Sequence, residues 1–372
     1  MNLLMLLKCN GLAYDDRVRK ESISLTANGY DVDIHVLEND NKSASGNVFN
    51  DSIKFKQYYL ISRKLFKGNR FLFLKLMELF FRFFPSSFKR YDVVWLHDPL
   101  MFIFVPYFFL LKKIGRVNKI VWDQHELPPQ YFLCSKLLRK FYKTALSLAD
   151  VRIHANEERA LYLNKVLEKN YSFKVIRNFV DELFVQEKAL PLSKEEINWL
   201  GGDDYFLLQS GAYEVRNFSS VAEAICNTIE RKCIVVGGFD KDYVSNLRKK
   251  YSNFDDLFLF VGMVPQIRLV DYIDRALASV ILYHDKEPNS FYCEPNRLYQ
   301  SISRGTPVIV GSNPPMANIV SELRCGIILE NCGSSVEAIA SGFNQFYEAD
   351  IQISDLAKKR FTWSSQLKAF DL

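Results

Sequence analysis

Glu294-Pro295-Asn296-Arg297-Leu298-Tyr299-Gln300, followed by Arg304-Gly305-Thr306-Pro307-Val308-Ile309-Val310, has the form of a helix leading into a buried strand. Proline in a first helical turn has its φ pre-set and lacks an N–H that would have no helical partner, so a helix is expected to begin at 295–297. The run 307–310 is rich in β-branched residues and reads as a strand, with Gly311 as the turn signal behind it.

The same alternation continues outward in both directions. In the second half, 205–210, 232–236, 257–261, 278–283 and 326–329 read as further strands, several followed by Gly211, Gly237-Gly238 or Gly262. In the first half, 3–9, 31–37, 92–97, 119–123, 151–155 and 174–177 read as strands, with helical spacing at 17–27 and 136–148. A βαβα rhythm implies parallel sheets covered on both faces. It pauses at 181–204, a charged stretch with Pro191 and Gly201-Gly202. The expected class is α/β with two Rossmann-like domains facing each other across a cleft, their ligands at the carboxyl-end loops. The domains are placed at 1–180 and 205–350, with a linker at 181–204 and a helical segment at 351–372 that crosses back to the first domain. A single large doubly wound domain is the alternative, which the pause disfavours.

Composition narrows the function classes. The chain has 372 residues, 48% of them hydrophobic, enough for two cores. Its net charge of +5 is uneven: 1–180 holds 29 Lys+Arg against 17 Asp+Glu, and 181–372 holds 19 against 26. A basic first half points to an acidic ligand or surface, or is a solvated face. The seven cysteines show no CxxC pair and no Cys/His metal spacing, which argues against a structural zinc or a disulfide scaffold and fits a reducing cytosol. The opening MNLLMLLKCNG reads as a buried strand and not a signal peptide. The apolar stretch 101–111 is well short of the ~20 residues that span a bilayer. A cytoplasmic protein is expected, free or peripheral on the inner face of the membrane.

One segment departs from the rhythm. Residues 63–90 hold eight phenylalanines and eight Lys/Arg against one acid, Glu78. Phe71, Leu74, Met77, Phe81 and Phe84 fall on one helical face, with Arg70, Lys75, Arg82 and Lys89 adding positive charge. Two readings stand. One is a helix in the interface of an anionic membrane; the other is an ordinary helix packed on the sheet.

A nucleoside diphosphate needs free backbone N–H groups, best at a helix N-terminus, and fixed cations. Four places offer them: Gly11 with Asp16-Arg17 beyond it, Gly211 with Arg216, Gly237-Gly238, and Asn296-Arg297. A single glycine after a strand also serves turn geometry alone.

Seven segments together resemble one family. They are Asp16-Arg17-Val18-Arg19-Lys20-Glu21, Asp92-Val93-Val94-Trp95-Leu96-His97-Asp98, Asp123-Gln124-His125-Glu126-Leu127-Pro128, Val175-Ile176-Arg177-Asn178, Gly211 with Arg216, Phe260-Val261-Gly262, and Pro295-Asn296-Arg297-Leu298-Tyr299 with Gly305-Thr306-Pro307-Val308. They are similar to the motifs of the retaining GT-B glycosyltransferases of family 4. The resemblance implies a GT-B fold and transfer of a sugar from a nucleotide-sugar, by default a UDP-sugar, to a glycan acceptor. It implies retention of configuration with no metal and no cofactor. Donor binding would fall to Gly11, Gly211, Arg216, Gly262, Asn296, Arg297 and Gln300. Asp16, Arg17, His97, Asp98 and Glu126 would serve the acceptor, with Asp16-Arg17 alternatively locking the loop at Gly11. His125 and Glu294 would be catalytic; the other reading of His125 is a loop cap on Asp123 or Glu126. The basic aromatic segment adds a lipid-linked acceptor in surface polysaccharide synthesis, and no nucleic-acid motif is present.

The departure from the family pattern lies at Gln300. The family has a ribose-binding glutamate there, and a second glutamate eight positions earlier, where this chain has Tyr292. Glu294 is the nearest acid. Glutamine still accepts from a hydroxyl but without the charge-assisted bond. The competing readings are a non-catalytic sugar- or partner-binding protein and a nucleotide-sugar epimerase of the same fold.

Overall fold

The structure is a computed structural model that describes every residue except 10, 13–14, 39–43, 59, 67–70, 85–88, 210 and 371–372. It forms two compact units, Met1–Arg177 with Leu367–Leu372, and Asn178–Gln366.

The first unit is built on β1 (Asn2–Cys9), β2 (Asp31–Glu38), β3 (Ala44–Asn47), β4 (Lys54–Tyr58), β5 (Tyr91–His97), β6 (Val117–Gln124), β7 (Val151–His154) and β8 (Lys174–Val175). They form one sheet in the order β3-β4-β2-β1-β5-β6-β7-β8. All neighbours are parallel except the β3–β4 pair. Leu3, Leu4, Met5, Leu6 and Leu7 are all buried, as a central parallel strand covered on both faces requires. Four helices matter below: α1 (Asp16–Ala27), α2 (Leu72–Phe83), α3 (Phe104–Lys113) and α4 (Lys136–Leu148). Asp15 caps α1 by accepting from the Val18 amide at 3.1 Å.

The strands β3 and β4 are absent from the sequence reading. Ala44–Asn47 is short and polar, and KFKQY offers only a partly buried alternation at the sheet edge. Edge strands of that kind carry little hydrophobic periodicity.

The second unit holds β9 (Tyr205–Gln209), β10 (Lys232–Val236), β11 (Phe258–Gly262), β12 (Ser279–Ile281), β13 (Val308–Gly311) and β14 (Gly326–Leu329). They form a parallel sheet in the order β11-β10-β9-β12-β13-β14. The opening motif forms the helix α5 (Asn296–Arg304), with Pro295 as its N-cap residue. Gly305 at φ 81 ends it, and the Gly305 and Thr306 amides donate to the carbonyls of Ile302 and Ser301. Leu298, Tyr299 and Ile302 are the buried apolar face, each worth about 1.5–3 kcal/mol. Residues 181–204 carry two short helices, Glu182–Gln186 and Lys194–Leu200, the latter opened by a Ser193–Glu196 capping box.

Candidate functional site

Functional side chains gather at the carboxyl ends of the strands in each unit. In the second unit, Tyr283 lies two residues beyond the end of β12 and is buried. The Arg216 guanidinium lies over that ring at 3.8 Å from its centre and the Arg297 guanidinium at 4.8 Å. Arg297 is buried in the first turn of α5 and donates through Nη1 to the Gln209 carbonyl at 2.9 Å. Its Nε and Nη2, and Nε and Nη1 of Arg216, are buried without a hydrogen-bond partner. Among the described residues, neither arginine has a carboxylate in ion-pair range. Burial and then the repulsion from Arg216, partly offset by the Tyr283 oxygen, pull Arg297 down to about 10, which leaves it charged at neutral pH. One buried and one half-buried cation, each with spare buried donors and neither with a carboxylate in ion-pair range among the described residues, suit an anionic ligand.

Gly211 follows β9 at φ +79. A Cβ there would come within 1.6 Å of the Gly238 carbonyl oxygen, and one on Gly238 within 2.7 Å of the Tyr213 hydroxyl. The loops after β9 and β10 are zipped together, with an isolated bridge from Ala212 to Phe239. Loop packing therefore accounts for both glycines without a phosphate. Gly262 ends β11 at φ +84, where its carbonyl accepts from the Gly237 amide at 2.7 Å. Asn296 sits at the first position of α5, and Gln300 is buried one turn later. The Glu294 carboxylate accepts from the Tyr299 hydroxyl. Tyr299 is itself wedged against Phe179 and Phe361. Glu294 thus has a structural duty at the start of α5.

In the first unit, His97 ends β5, Asp123 lies near the end of β6, and His125 follows it. The Asp123 carboxylate accepts both Nε and Nη2 of Arg17, at 2.8 and 3.0 Å, while Nη1 donates to the Ile176 carbonyl at 2.7 Å. Glu21 lies 3.0 Å from Nε. The expected acceptor role of Arg17 is corrected here: every nitrogen of its guanidinium is engaged inside the unit, and the residue ties α1 to β6. Asp16 is held likewise. Burial raises its carboxyl, but Lys20 and Arg19 outweigh that and keep it below the usual range. Asp98 caps the turn after β5, accepting from the Leu100 amide at 2.6 Å with its own φ at 82. Gly11 lies two positions beyond the end of β1, next to residues outside the described set, and Glu126 is exposed.

Both ring nitrogens of buried His97 lack a hydrogen-bond partner; Nδ1 is 3.6 Å from Asp123 and Nε2 3.6 Å from Glu21. His125 is half-buried and also has an unpartnered Nδ1, with its carbonyl held by Arg159. One ligand atom each of His97, Asp123 and His125 lies within 4.8 Å of the others. That is metal-ligand chemistry by residue type, but Arg17 already supplies a cation to the same carboxylate.

Burial pushes His97 and His154 each down to about 3 from 6.5. The unfolded chain protonates them near 6.5, so between that value and about 3 it binds more protons than the fold. Stability therefore falls as the pH is lowered through that window, by roughly 2 kcal/mol per histidine on reaching pH 5. Glu21, raised by burial, works in the opposite sense. The expected result is an unfolding midpoint lower at pH 5 than at pH 7.5, with a clearly smaller difference in His154→Phe. An unchanged difference in that variant would remove His154 from the account.

Solved structures with this architecture span the whole chain. Sucrose-phosphate synthase from Thermosynechococcus elongatus matches with a TM-score of 0.74 at 16% identity, covering 99% of this chain and 97% of that one. The E. coli trehalose-6-phosphate protein bound with UDP-2-fluoro glucose matches at 0.70 and 10%, covering 100% and 95%. Anabaena HepE in complex with UDP matches at 0.63 and 14%, covering 100% and 94%. The chain has the GT-B fold. No protein-family model matches its sequence, and the search of curated proteins finds no significant match.

Within the GT-B fold, sequence reasoning missed Tyr283. The ring of Tyr283 is the platform for both arginines, and the buried Nδ1 of His284 has no partner. The signal was available, because the apolar strand 278–283 ends in Tyr-His-Asp at a carboxyl end.

The segment 63–90 is partly outside the described residues, including Arg70 and 85–88. Phe71, Leu74, Met77, Phe81 and Phe84 are all exposed, as their common face requires. Leu79 and Phe83 on the other side are buried, and Phe83 meets Phe104 and Phe108 of α3. The charge reading needs correction: Lys75 is buried, Arg82 is paired with Glu78, and Lys89 lies 3.3 Å from Asp33. No helix among the described residues is long and apolar enough to cross a membrane.

Proposed function

We propose that the chain is a glycosyltransferase that moves a sugar from a UDP-sugar to a lipid-linked glycan acceptor in surface polysaccharide synthesis. Transfer is retaining and metal-independent. The observation that carries this reading is the pair of guanidiniums over the Tyr283 ring, half-buried Arg216 and buried Arg297, each with two buried nitrogens that lack a hydrogen-bond partner and, among the described residues, neither with a carboxylate in ion-pair range. Breaking the bond from the sugar C1 to the β-phosphate oxygen leaves negative charge on the diphosphate. Preorganised donors placed where charge develops stabilise that transition state without solvent reorganisation. Two fixed cations supply what a metal would otherwise supply. HepE was solved with UDP and the E. coli protein with UDP-2-fluoro glucose, which favours UDP as the nucleotide. The half-buried His125, beside Asp123 and neutral His97, is the group to orient or deprotonate an acceptor hydroxyl. The exposed apolar side of α2 favours an acceptor presented at a lipid surface.

A second reading has an observation of its own. Gln300 replaces a charged ribose ligand, and Glu294 is engaged by Tyr299, so the chain would be a sugar-binding protein without turnover. One experiment separates the two. UDP at 100 times its Kd raises stability by about 2.7 kcal/mol if the site binds it. UDP release from a UDP-sugar panel is then followed with and without a glycolipid extract. Stabilisation with release supports the enzyme, stabilisation without release supports the binding protein, and no stabilisation by UDP or other nucleoside diphosphates overturns both.

A further inference from the structure

The helical layer on one face of the first sheet carries a charge pattern that the apolar side of α2 lacks. The chain steps from β4 to β5, β6 and β7, and the last two steps move to the next strand in the same direction. Right-handed crossovers then put α2, α3 and α4 on one face. The packing agrees: Phe80 and Phe83 of α2 meet Phe104 of α3, and Phe102 before α3 meets Tyr142 of α4.

Each helix leaves large apolar side chains in water. Phe73 is 72% exposed, Ile114 just after α3 is 69% exposed and Leu137 on α4 is 64% exposed. Phe81, Leu110 and Phe141 are also exposed. Beside Leu137 and Phe141, α4 presents Lys136, Arg139, Lys140 and Lys143, which with Lys169 line a shallow groove of about 420 Å³. None of these five cations forms an ion pair among the described residues. The Lys169 ammonium donates to Ser147 Oγ at 3.1 Å and lies over the Tyr171 ring at 4.8 Å from its centre. Like charges three and four residues apart on a helix repel one another. An arrangement that keeps them together suits an anionic counter-surface. A nucleic acid would satisfy the cations but leave the apolar residues of three helices in water. A bilayer with anionic headgroups satisfies both.

We infer that the outer face of α2, α3 and α4 is a membrane-docking layer whose α4 groove takes the phosphates of anionic phospholipid headgroups. Leu137 and Phe141, with the exposed residues of α2 and α3, enter the acyl boundary. This deepens the lipid part of the proposed function and stands apart from its donor chemistry.

Flotation of the full chain with vesicles tests it. Wild type is expected to float with phosphatidylcholine–phosphatidylglycerol vesicles and not with phosphatidylcholine alone. Lys140→Glu/Lys143→Glu should lower partition at least about 30-fold, since each surface cation counts for several-fold and reversal adds repulsion. Its unfolding midpoint and its UDP release from a soluble donor should stay as in wild type, because both side chains lie outside the donor and acceptor residues. Leu137→Ser/Phe141→Ser should also weaken flotation while leaving its salt dependence in place. Equal flotation of the charge-reversed protein and wild type overturns the inference, as does equal binding to uncharged vesicles. Stabilisation by inorganic phosphate that the charge reversal abolishes, without vesicle binding by wild type, would assign the groove to a soluble phosphate compound instead. Displacement from vesicles by a short DNA duplex that binds more tightly would also overturn it.

Discussion

Arg297→Ala is expected to lower UDP release from the donor by at least about 100-fold, the effect of removing one preorganised donor from a developing oxyanion. The size follows from where the group sits. Its Nη1 is anchored on the Gln209 carbonyl, its plane lies over Tyr283, and two nitrogens are left for a ligand. Arg297→Lys should recover little, because an ammonium cannot hold the carbonyl and fork to a phosphate at once. Stability separates this role from a structural one. The alanine variant removes a buried charge that has no carboxylate partner, so the ligand-free unfolding midpoint should hold or rise. The stabilisation by UDP should fall in parallel with turnover. Release within about threefold of wild type, with intact UDP stabilisation, would sink the assignment.

The second large effect is on the fold. Arg17→Met is expected to destabilise the first unit by about 3–5 kcal/mol, as breaking a buried ion pair does by leaving a charge uncompensated. Asp123 is fully buried, and without Arg17 it is left with neutral His97 at 3.6 Å and with the buried Glu21 carboxyl nearby. At roughly 2–4 °C per kcal/mol for a unit of this size, the first transition should drop on the order of 10 °C. Arg17→Met/Asp123→Asn should regain part of that loss, since the stranded charge is gone. A variant that unfolds like wild type yet fails to transfer sugar would return Arg17 to the acceptor.

The segment 294–310 was legible because its signals are local. Pro295 and Gly305 bound a nine-residue helix, and Val308–Gly311 is a buried strand with little polar content. The same holds for Leu3–Leu7, where an unbroken apolar run matches a central parallel strand. Long-range partnerships were not legible. Arg17 and Asp123 are 106 positions apart, and both sit in recognisable motifs, so motif matching read a buried tie as a ligand contact. Arg216 and Arg297 were found singly, but only the fold brings them to one tyrosine ring. The aromatic spacing of α2 does not reveal that Lys75 is buried, because the helix carries apolar side chains on its exposed and its buried side alike. Gly211 was read as a phosphate loop, while the carbonyl 1.6 Å from its missing Cβ is a sufficient reason for glycine.

The arrangement around Tyr283 has a consequence for the catalytic cycle. In the proposed reaction, guanidiniums that ease the departure of the sugar also hold the spent nucleotide, and among the described residues neither has a carboxylate in ion-pair range to neutralise it once the nucleotide leaves. Release of the product would then restore one buried and one half-buried guanidinium without a carboxylate partner. The slow step in such an enzyme moves from bond cleavage toward product release, and small anions that visit the vacated arginines become part of its kinetics.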